Sequence, residues 1–293
     1  MVQKFHKIHR LGQYEIPKED TVYVEEKLDG ANFRVWFDED KTIRFGTRET
    51  EFPRECQAFG QFQRAVDYIR TRQDKFMEAI KYNPELQRYI FYLECMTKHT
   101  LNYDWEITPP VVLFDIFDTI DNRYLALTHK GEIANNLDIK TPQLVYCGQN
   151  REFTESDIPK SAYGPFQAEG IVVKPMVTKF DIHGTILRGK LVRQEFKEQN
   201  HKVFNAKNGE DPKENLFVLK YVTEPRLEKL YLKMKERGVK KEGYFPFMSN
   251  GIVFDIVSEE IKQVIAMKKV SFVTMKKAVD DIIRKFLTEK GDI

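Results

Sequence analysis

Cysteine is scarce in this chain: Cys56, Cys95 and Cys147 are odd in number, widely spaced and form no CxxC pair. That pattern argues against a disulfide framework and against a thiolate zinc site, and free buried thiols are the expectation. The histidines His6, His9, His99, His129, His183 and His201 show no metal-ligand spacing. No run of eighteen or more apolar residues occurs, so no membrane-spanning helix is expected. The stretch Met1 to Arg10 is too polar for a signal-peptide core, and a cytoplasmic placement is expected. Internal repeats and low-complexity segments are missing as well.

What is there is a chain of 293 residues, 41% of them hydrophobic, enough for two domains with real cores. Short β-branched or aromatic runs predict strands at Val22 to Glu26, Phe33 to Phe37, Thr42 to Phe45, Tyr89 to Glu94, Val111 to Phe117, Ile171 to Lys174 and Thr185 to Val192. The acidic turn Asp38-Glu39-Asp40-Lys41 reads as a hairpin connection. Phe59, Phe62, Val66 and Ile69 recur at helical spacing and predict an amphipathic helix packed on the sheet. Trp36 and Trp105 are assigned to the core.

The character changes through the polar, Gly/Pro-containing stretch from Asn205 to Pro212, which reads as a linker. Beyond it, Leu227, Leu230, Tyr231 and Met234 form one apolar helical stripe, and Phe272, Met275, Val279, Ile282 and Phe286 form another. The expected domains are therefore residues 1–204 and a helical domain over 205–293. Charge follows the same division. The net charge is only +2, yet residues 201–293 hold 19 Lys and Arg against 14 Asp and Glu, leaving 28 against 31 for residues 1–200. Arg226, Lys229, Lys233, Lys235, Arg237, Lys240 and Lys241 crowd one segment, as a phosphate-neutralising surface would require. A solvated helix face with the acidic neighbours Glu228 and Glu236 is the plainer reading of the charge alone.

The residues that suggest chemistry begin at Glu25-Glu26-Lys27-Leu28-Asp29-Gly30-Ala31-Asn32, where a lysine ends a predicted strand just before a glycine. A lysine nucleophile must shed its proton, so its free pKa of about 10.4 has to be lowered by nearby cations or by desolvation. Further lysines in the same pocket are then expected. On these residues alone the signal is weak, and the plain alternative is a strand-to-turn junction with a surface lysine. Asp29 either takes part in catalysis or caps the turn.

Four further segments follow in order, and with them the chain resembles the covalent nucleotidyltransferase superfamily of ATP-dependent ligases and capping enzymes. Lys27-Leu28-Asp29-Gly30 resembles the nucleotidyl-lysine motif, and Phe45-Gly46-Thr47-Arg48-Glu49 the motif whose arginine meets phosphate. Tyr92-Leu93-Glu94 resembles the strand with a ribose-binding acid, and Val112-Leu113-Phe114-Asp115-Ile116 the strand whose aromatic ring stacks on adenine. Ala168-Glu169-Gly170-Ile171-Val172-Val173-Lys174-Pro175 is similar to the motif pairing a metal-associated glutamate with a phosphate-binding lysine. Within the superfamily the resemblance is to the RNA ligase 2 family. Asn32 stands where DNA ligases and capping enzymes usually have arginine, and Tyr221-Val222-Thr223-Glu224-Pro225-Arg226-Leu227 resembles the opening of that family's helical C-terminal domain. In the last motif, ahead of Phe196-Lys197-Glu198, either Arg188 and Lys190 or Lys190 and Val192 fill the paired basic positions.

This resemblance implies an α+β fold: an antiparallel-sheet adenylyltransferase domain, then a small all-helical RNA-binding domain in place of an OB-fold barrel. It implies that Lys27 attacks ATP and keeps AMP, with Lys174 and Lys190 on the α-phosphate and Arg48 on the RNA 5′-phosphate. Glu26, Asp29, Asn32, Glu94, Phe114 and Glu169 complete the implied nucleotide site. Glu169 and Glu94 are the implied ligands of Mg2+, with Mn2+ as the alternative. The implied partner is RNA with 3′-OH and 5′-phosphate ends, a nicked duplex being preferred, and the enzyme is expected to be a monomer. DNA ligases, capping guanylyltransferases and a non-catalytic RNA-binding relative are the rival readings. Glu169 and Lys174, five residues apart, cannot share one face of a regular strand, so a strand end near Gly170 is expected.

Overall fold

Val22 and Val24 alternate with Tyr23 and Glu25, the pattern of a strand with two unlike faces. In the computed structural model of the protein they lie on such a strand. The structure describes residues 2–13, 15–97, 101–193 and 212–293. Lys98, His99, His201, Phe196-Lys197-Glu198, the expected linker before Pro212 and the expected boundary at 204/205 lie outside the described residues. The chain separates into two compact units, residues 1–193 and 194–293.

The first unit carries β1 (His9–Arg10), β2 (Thr21–Lys27), β3 (Ala31–Phe37), β4 (Ile43–Thr47), α1 (Gln63–Arg70), α2 (Gln73–Tyr82), β5 (Tyr89–Cys95), β6 (Val111–Asp118), β7 (Arg123–Tyr124), α3 (Leu127–Asn136), β8 (Leu144–Gln149), β9 (Gly170–Pro175) and β10 (Gly189–Val192). They form two five-stranded sheets, ordered β1-β10-β9-β2-β8 and β4-β3-β5-β6-β7. All pairings are antiparallel except that of β1 with β10. The Asp38–Lys41 turn joins β3 to β4 as expected, with the Lys41 N–H donating to the Asp38 carbonyl at 2.9 Å.

Each sheet sends one face into its own apolar core. Val22, Val24, Ile171 and Val173 pack with Phe153 and Ile158 behind the first sheet. Phe33, Val35, Phe91 and Leu93 pack behind the second with Phe62, Val66 and Ile69 of the expected helix and Phe76 of α2. Phe91 is fully buried there, and truncation to alanine would cost about 3–5 kcal/mol. By alternation, Tyr23, Glu25 and Lys27 on β2 and Val172 and Lys174 on β9 turn to the opposite side. Asn32, Tyr92 and Glu94 of the second sheet do the same, and ion pairs between Lys174 and Asp115 join the two polar faces. The N-terminal segment crosses this region, with Phe5 and Val2 packed against Tyr92, Phe114 and Tyr124.

Several elements depart from expectation. The run expected from Thr185 starts as a strand only at Gly189, because Ile186 bridges Phe180 in a local turn closed by the Gly184 N–H on the Asp181 carbonyl. The sequence pattern predicts neither α2, α3 nor β8: α3 holds a glycine and two asparagines, and the edge strand β8 alternates weakly.

In the second unit every regular element among the described residues is helical: α4 (Lys213–Tyr221), α5 (Glu224–Glu236), α6 (Tyr244–Glu259), α7 (Ile261–Ala266) and α8 (Phe272–Glu289), with one short 3-10 turn. Leu227 and Met234 from one expected stripe and Met275, Val279 and Phe286 from the other meet in its core. Phe272 is exposed, and Ile283 rather than Ile282 is fully buried, since the stripe begins one turn later than its apolar letters suggest. Ser271 caps α8 by accepting from the Thr274 N–H at 3.2 Å. Arg226 belongs to the interior: it is buried and ion-paired with Asp255 and Glu259, so it is no part of an exposed basic surface. No helix among the described residues is long and apolar enough to cross a membrane.

Candidate active site

Lys27 closes β2, opposite Gly170, the first residue of β9. Its half-buried ammonium donates to Glu169 Oε2 at 2.5 Å and lies 3.4 Å from the Leu28 carbonyl. Glu169 therefore sits just outside the strand, which frees its side chain from the alternation that fixes Lys174. Gly170 is required for this. A Cβ there would stand 2.1 Å from the Leu191 carbonyl oxygen of β10, a distance backbone atoms cannot accommodate without parting the strands.

Two further acids from the other strand junctions reach the same place. Glu94 on β5 accepts from the Gly30 N–H at 3.0 Å. Burial pushes its pKa up to about 7; Lys27 opposes that rise, whereas Glu169 and Asp29 add to it. A Cβ at Gly30 would lie 2.5 Å from the Cys95 carbonyl, so this turn also depends on glycine. Asp29 is buried, its Oδ2 accepting from the Leu101 N–H at 2.7 Å while its own N–H donates to the Tyr103 hydroxyl at 2.8 Å. Asn32 lies directly across β3–β5 from Glu94, and its buried Oδ1 has no hydrogen-bond partner. An acceptor so placed costs about 1–3 kcal/mol until a donor arrives. A ligand hydroxyl or amine would satisfy it.

Deeper along β2 lies a chain of buried charges. Glu25 Oε1 accepts from Lys130 of α3 at 2.5 Å, and Glu25 Oε2 from Lys174 at 2.8 Å. Lys174 reaches on to Asp115 Oδ2 at 3.1 Å, which also accepts from Arg188 at 2.8 Å. Both lysines donate to the Phe114 carbonyl, at 3.0 and 2.9 Å. That carbonyl is available because the β5–β6 register slips at Phe114, which has no residue opposite. Burial works against the charge on Lys174, but the Asp115 and Glu25 carboxylates outweigh it and leave its pKa raised. For Lys130 burial prevails over the attraction of Glu25, and its pKa is lowered. Burial likewise opposes ionisation of Asp115, yet Arg188 and Lys174 hold its pKa down.

The other expected site residues are dispersed around this centre. The Phe114 ring is half-buried, edge-on to Phe5 at 4.9 Å, with Lys174 Nζ 5.8 Å from its centre. Lys190 pairs with Val172, itself opposite Glu25, whereas Val192 pairs with Gly170, opposite Lys27. Positions 188, 190 and 192 share a face by alternation; Arg188 is taken up by Asp115 and by the Tyr124 ring at 3.7 Å. Arg48 follows β4 and lies near His6, whose pKa is lowered by burial and by the charges of Arg188 and Arg48. Glu26 points to the opposite side of β2 from Lys27. There it accepts from the Ser161 hydroxyl at 2.6 Å and the Ala162 N–H at 3.0 Å, and burial raises its pKa.

Residues 20–192 match the RNA ligase family. The chain belongs to that family. The match spans the region from β2 through β10, the same span that holds the ordered motifs. Among solved structures, this RNA ligase family member is similar to Naegleria gruberi RNA ligase with PPi, at 18% identity and a TM-score of 0.49, covering 67% of this chain and 57% of that one. It is also similar to a mutant of that ligase with AMP and Mn, at 17% identity and a TM-score of 0.48 over 67% and 57%. A further mutant with ATP and Mn gives 18% identity and 0.45 over 62% and 52%. The chain thus spans little more than half the length of these structures. Comparison with curated protein sequences gives no match.

Sequence reasoning passed over Glu25, Asp115 and Lys130 in this RNA ligase family site. Glu25 sits two residues before Lys27 and Asp115 directly after Phe114, so alternation and adjacency to a motif were the available signals. Lys130 offered none: it lies in an unanticipated helix, and lysine is almost never fully buried unless paired.

Proposed function

We propose that the chain is an ATP-dependent RNA ligase that joins 3′-OH and 5′-phosphate ends, with Lys27 carrying AMP, and that it seals nicks in duplex RNA as a cytosolic monomer. The observation that supports this most strongly is the Lys27–Glu169 pair at a glycine-dependent strand junction, inside the segment that matches the RNA ligase family. Lys27 Nζ attacks the α-phosphorus of ATP; the P–N bond forms, the bond to the β-phosphate oxygen breaks and pyrophosphate leaves. The RNA 5′-phosphate then takes the AMP, breaking the P–N bond, and a 3′-hydroxyl attacks the activated end with AMP as the leaving group.

The protein's part is placement and charge. Lys174 and Lys190, on the same face as Lys27, face the α-phosphate, where one preorganised donor is worth about 3 kcal/mol. Arg48 grips the RNA phosphate as a bidentate donor, the open side of the Phe114 ring carries adenine, and the open Asn32 Oδ1 and Glu94 accept from the nucleoside. Glu169 and Glu94 are hard oxygen donors of the kind magnesium takes. No group of three or more candidate ligands exists among the described residues, so phosphate oxygens and water would complete the shell. When bound, the metal would neutralise phosphate charge and draw Glu169 off Lys27, favouring the neutral amine. The helices between Lys213 and Glu289, through the exposed Lys229, Lys240 and Lys241, grip the duplex backbone.

Incubation with ATP labelled at the α-phosphate is the test. Covalent label on the wild-type protein and none on Lys27→Ala is the expected result; equal label on both, or label from GTP alone, would overturn it.

A further inference from the structure

The buried charges around Lys174 do not balance. Lys130, Lys174 and Arg188 face Glu25 and Asp115, three cations against two carboxylates. All five side chains are at most 4% exposed. The pairing has a definite order. Glu25 has Lys130 on one oxygen and Lys174 on the other; Asp115 Oδ2 is shared by Arg188 and Lys174, and its Oδ1 is buried without a partner. Each carboxylate therefore keeps a cation of its own at an end of the chain, Lys130 for Glu25 and Arg188 for Asp115. Lys174, in the middle, is the cation in excess.

That arrangement bears on what Lys174 can do. A lysine that is the sole counter-ion of a buried carboxylate cannot turn to a new anion without stranding that carboxylate, which costs several kcal/mol. A lysine whose two carboxylates each retain another cation can. We propose that Lys130 is a positioning residue for nucleotidyl transfer: by neutralising Glu25 and holding the Phe114 carbonyl, it releases Lys174 to serve an incoming phosphate. The inference rests on the assignment of Lys174 to the nucleotide phosphates made above. It adds a residue outside every motif found in the sequence, on a helix rather than on the sheets that carry the other groups. The second contact gives Lys130 a further hold on the site, since the Phe114 carbonyl it shares with Lys174 belongs to the residue whose ring is assigned to the base.

The test is a cycle of variants at positions 130 and 25, read as the rate of covalent labelling from ATP, with folding followed by circular dichroism. Lys130→Met should slow labelling by about 10- to 100-fold, the loss usual when a group that orients a ligand-bearing neighbour is removed. Lys130→Arg should retain most of the rate. Lys130→Met combined with Glu25→Gln removes the cation together with the charge it neutralises, so labelling should recover to within about tenfold of wild type, as expected when two groups act as one unit. A purely structural role predicts no recovery in the double variant, and that result would overturn the inference, as would wild-type labelling by Lys130→Met. If Lys130→Met alone does not fold, the double variant, which keeps the cluster's net charge, carries the test, and its failure to label while folded overturns the inference. A wild-type protein that takes no label refutes the ligase reading itself, which is a separate and recognisable outcome.

Discussion

Gly170→Ala probes the junction that holds Lys27 and Glu169 together. The new methyl would sit 2.1 Å from the Leu191 carbonyl oxygen and 3.0 Å from both the Leu191 carbonyl carbon and Val192 Cα. An ordinary carbon–oxygen contact is about 3.3–3.6 Å, so β9 and β10 must part by roughly 1 Å or more at this point. All three atoms are backbone, and the next link holds the strands close, the Arg193 N–H donating to the Glu169 carbonyl at 3.0 Å. Overpacking of this kind costs about 1–3 kcal/mol, which in a unit of this size lowers the melting temperature by roughly 3–10 °C. The larger effect falls on chemistry, because a displacement of about 1 Å at a reacting group costs on the order of 100-fold. Thermal melting and quenched-flow labelling from ATP read the two consequences. The control is Gly131→Ala, whose methyl meets nothing within 4 Å inside α3 and should stabilise by about 0.5–1 kcal/mol. Gly170→Ala with wild-type labelling would refute the claim that strand spacing at this glycine sets the Lys27–Glu169 geometry.

Three other outcomes follow from the geometry. Glu94, with its pKa pushed up to about 7 in the folded protein, favours the fold most at pH values below its unfolded pKa. That contribution, at most about 3 kcal/mol, is lost as pH rises through 7, and Glu94→Gln should flatten this part of the stability profile in calorimetry. Arg226→Met should destabilise the helical unit by about 2–3 kcal/mol through the loss of the buried pairs with Asp255 and Glu259. Denaturation by urea will show it, and a change confined to RNA affinity would contradict the interior assignment. Lys240→Ala with Lys229→Ala, both exposed, should leave stability within about 0.5 kcal/mol and reduce the salt dependence of duplex RNA binding by about 1 for each phosphate no longer neutralised. An unchanged salt slope would place the duplex elsewhere.

The strands that hold the motifs were legible because each presents one apolar face: Val22 and Val24, Phe33 and Val35, Ile171 and Val173 all mark sheet positions by their period. The strand end at Gly170 was legible too, from the parity conflict between Glu169 and Lys174. Charge was read less well than hydrophobicity. Arg226 belongs to a run that looks exposed in sequence, yet tertiary packing buries it against α6. Lys130 and Glu25 look like surface residues until a helix and a strand distant in sequence bring them together. Glu26, adjacent to Lys27, turns away from it because a strand offers only every second position to one face. Long-range pairing of charges leaves no periodic trace, and that is the part a single sequence conceals.

The order of strands in the first sheet also shapes how the molecule comes into being. Lys27 belongs to a strand whose two neighbours, Leu144–Gln149 and Gly170–Pro175, are encoded more than a hundred residues later, and His9 finds its partner only at Gly189. During synthesis the Lys27 amine and the carboxylates beside it on the strand therefore emerge long before the strands that flank them. Assembly of this half of the protein must await nearly two hundred residues, which marks it as slow to fold and dependent on protection against premature association while the ribosome finishes.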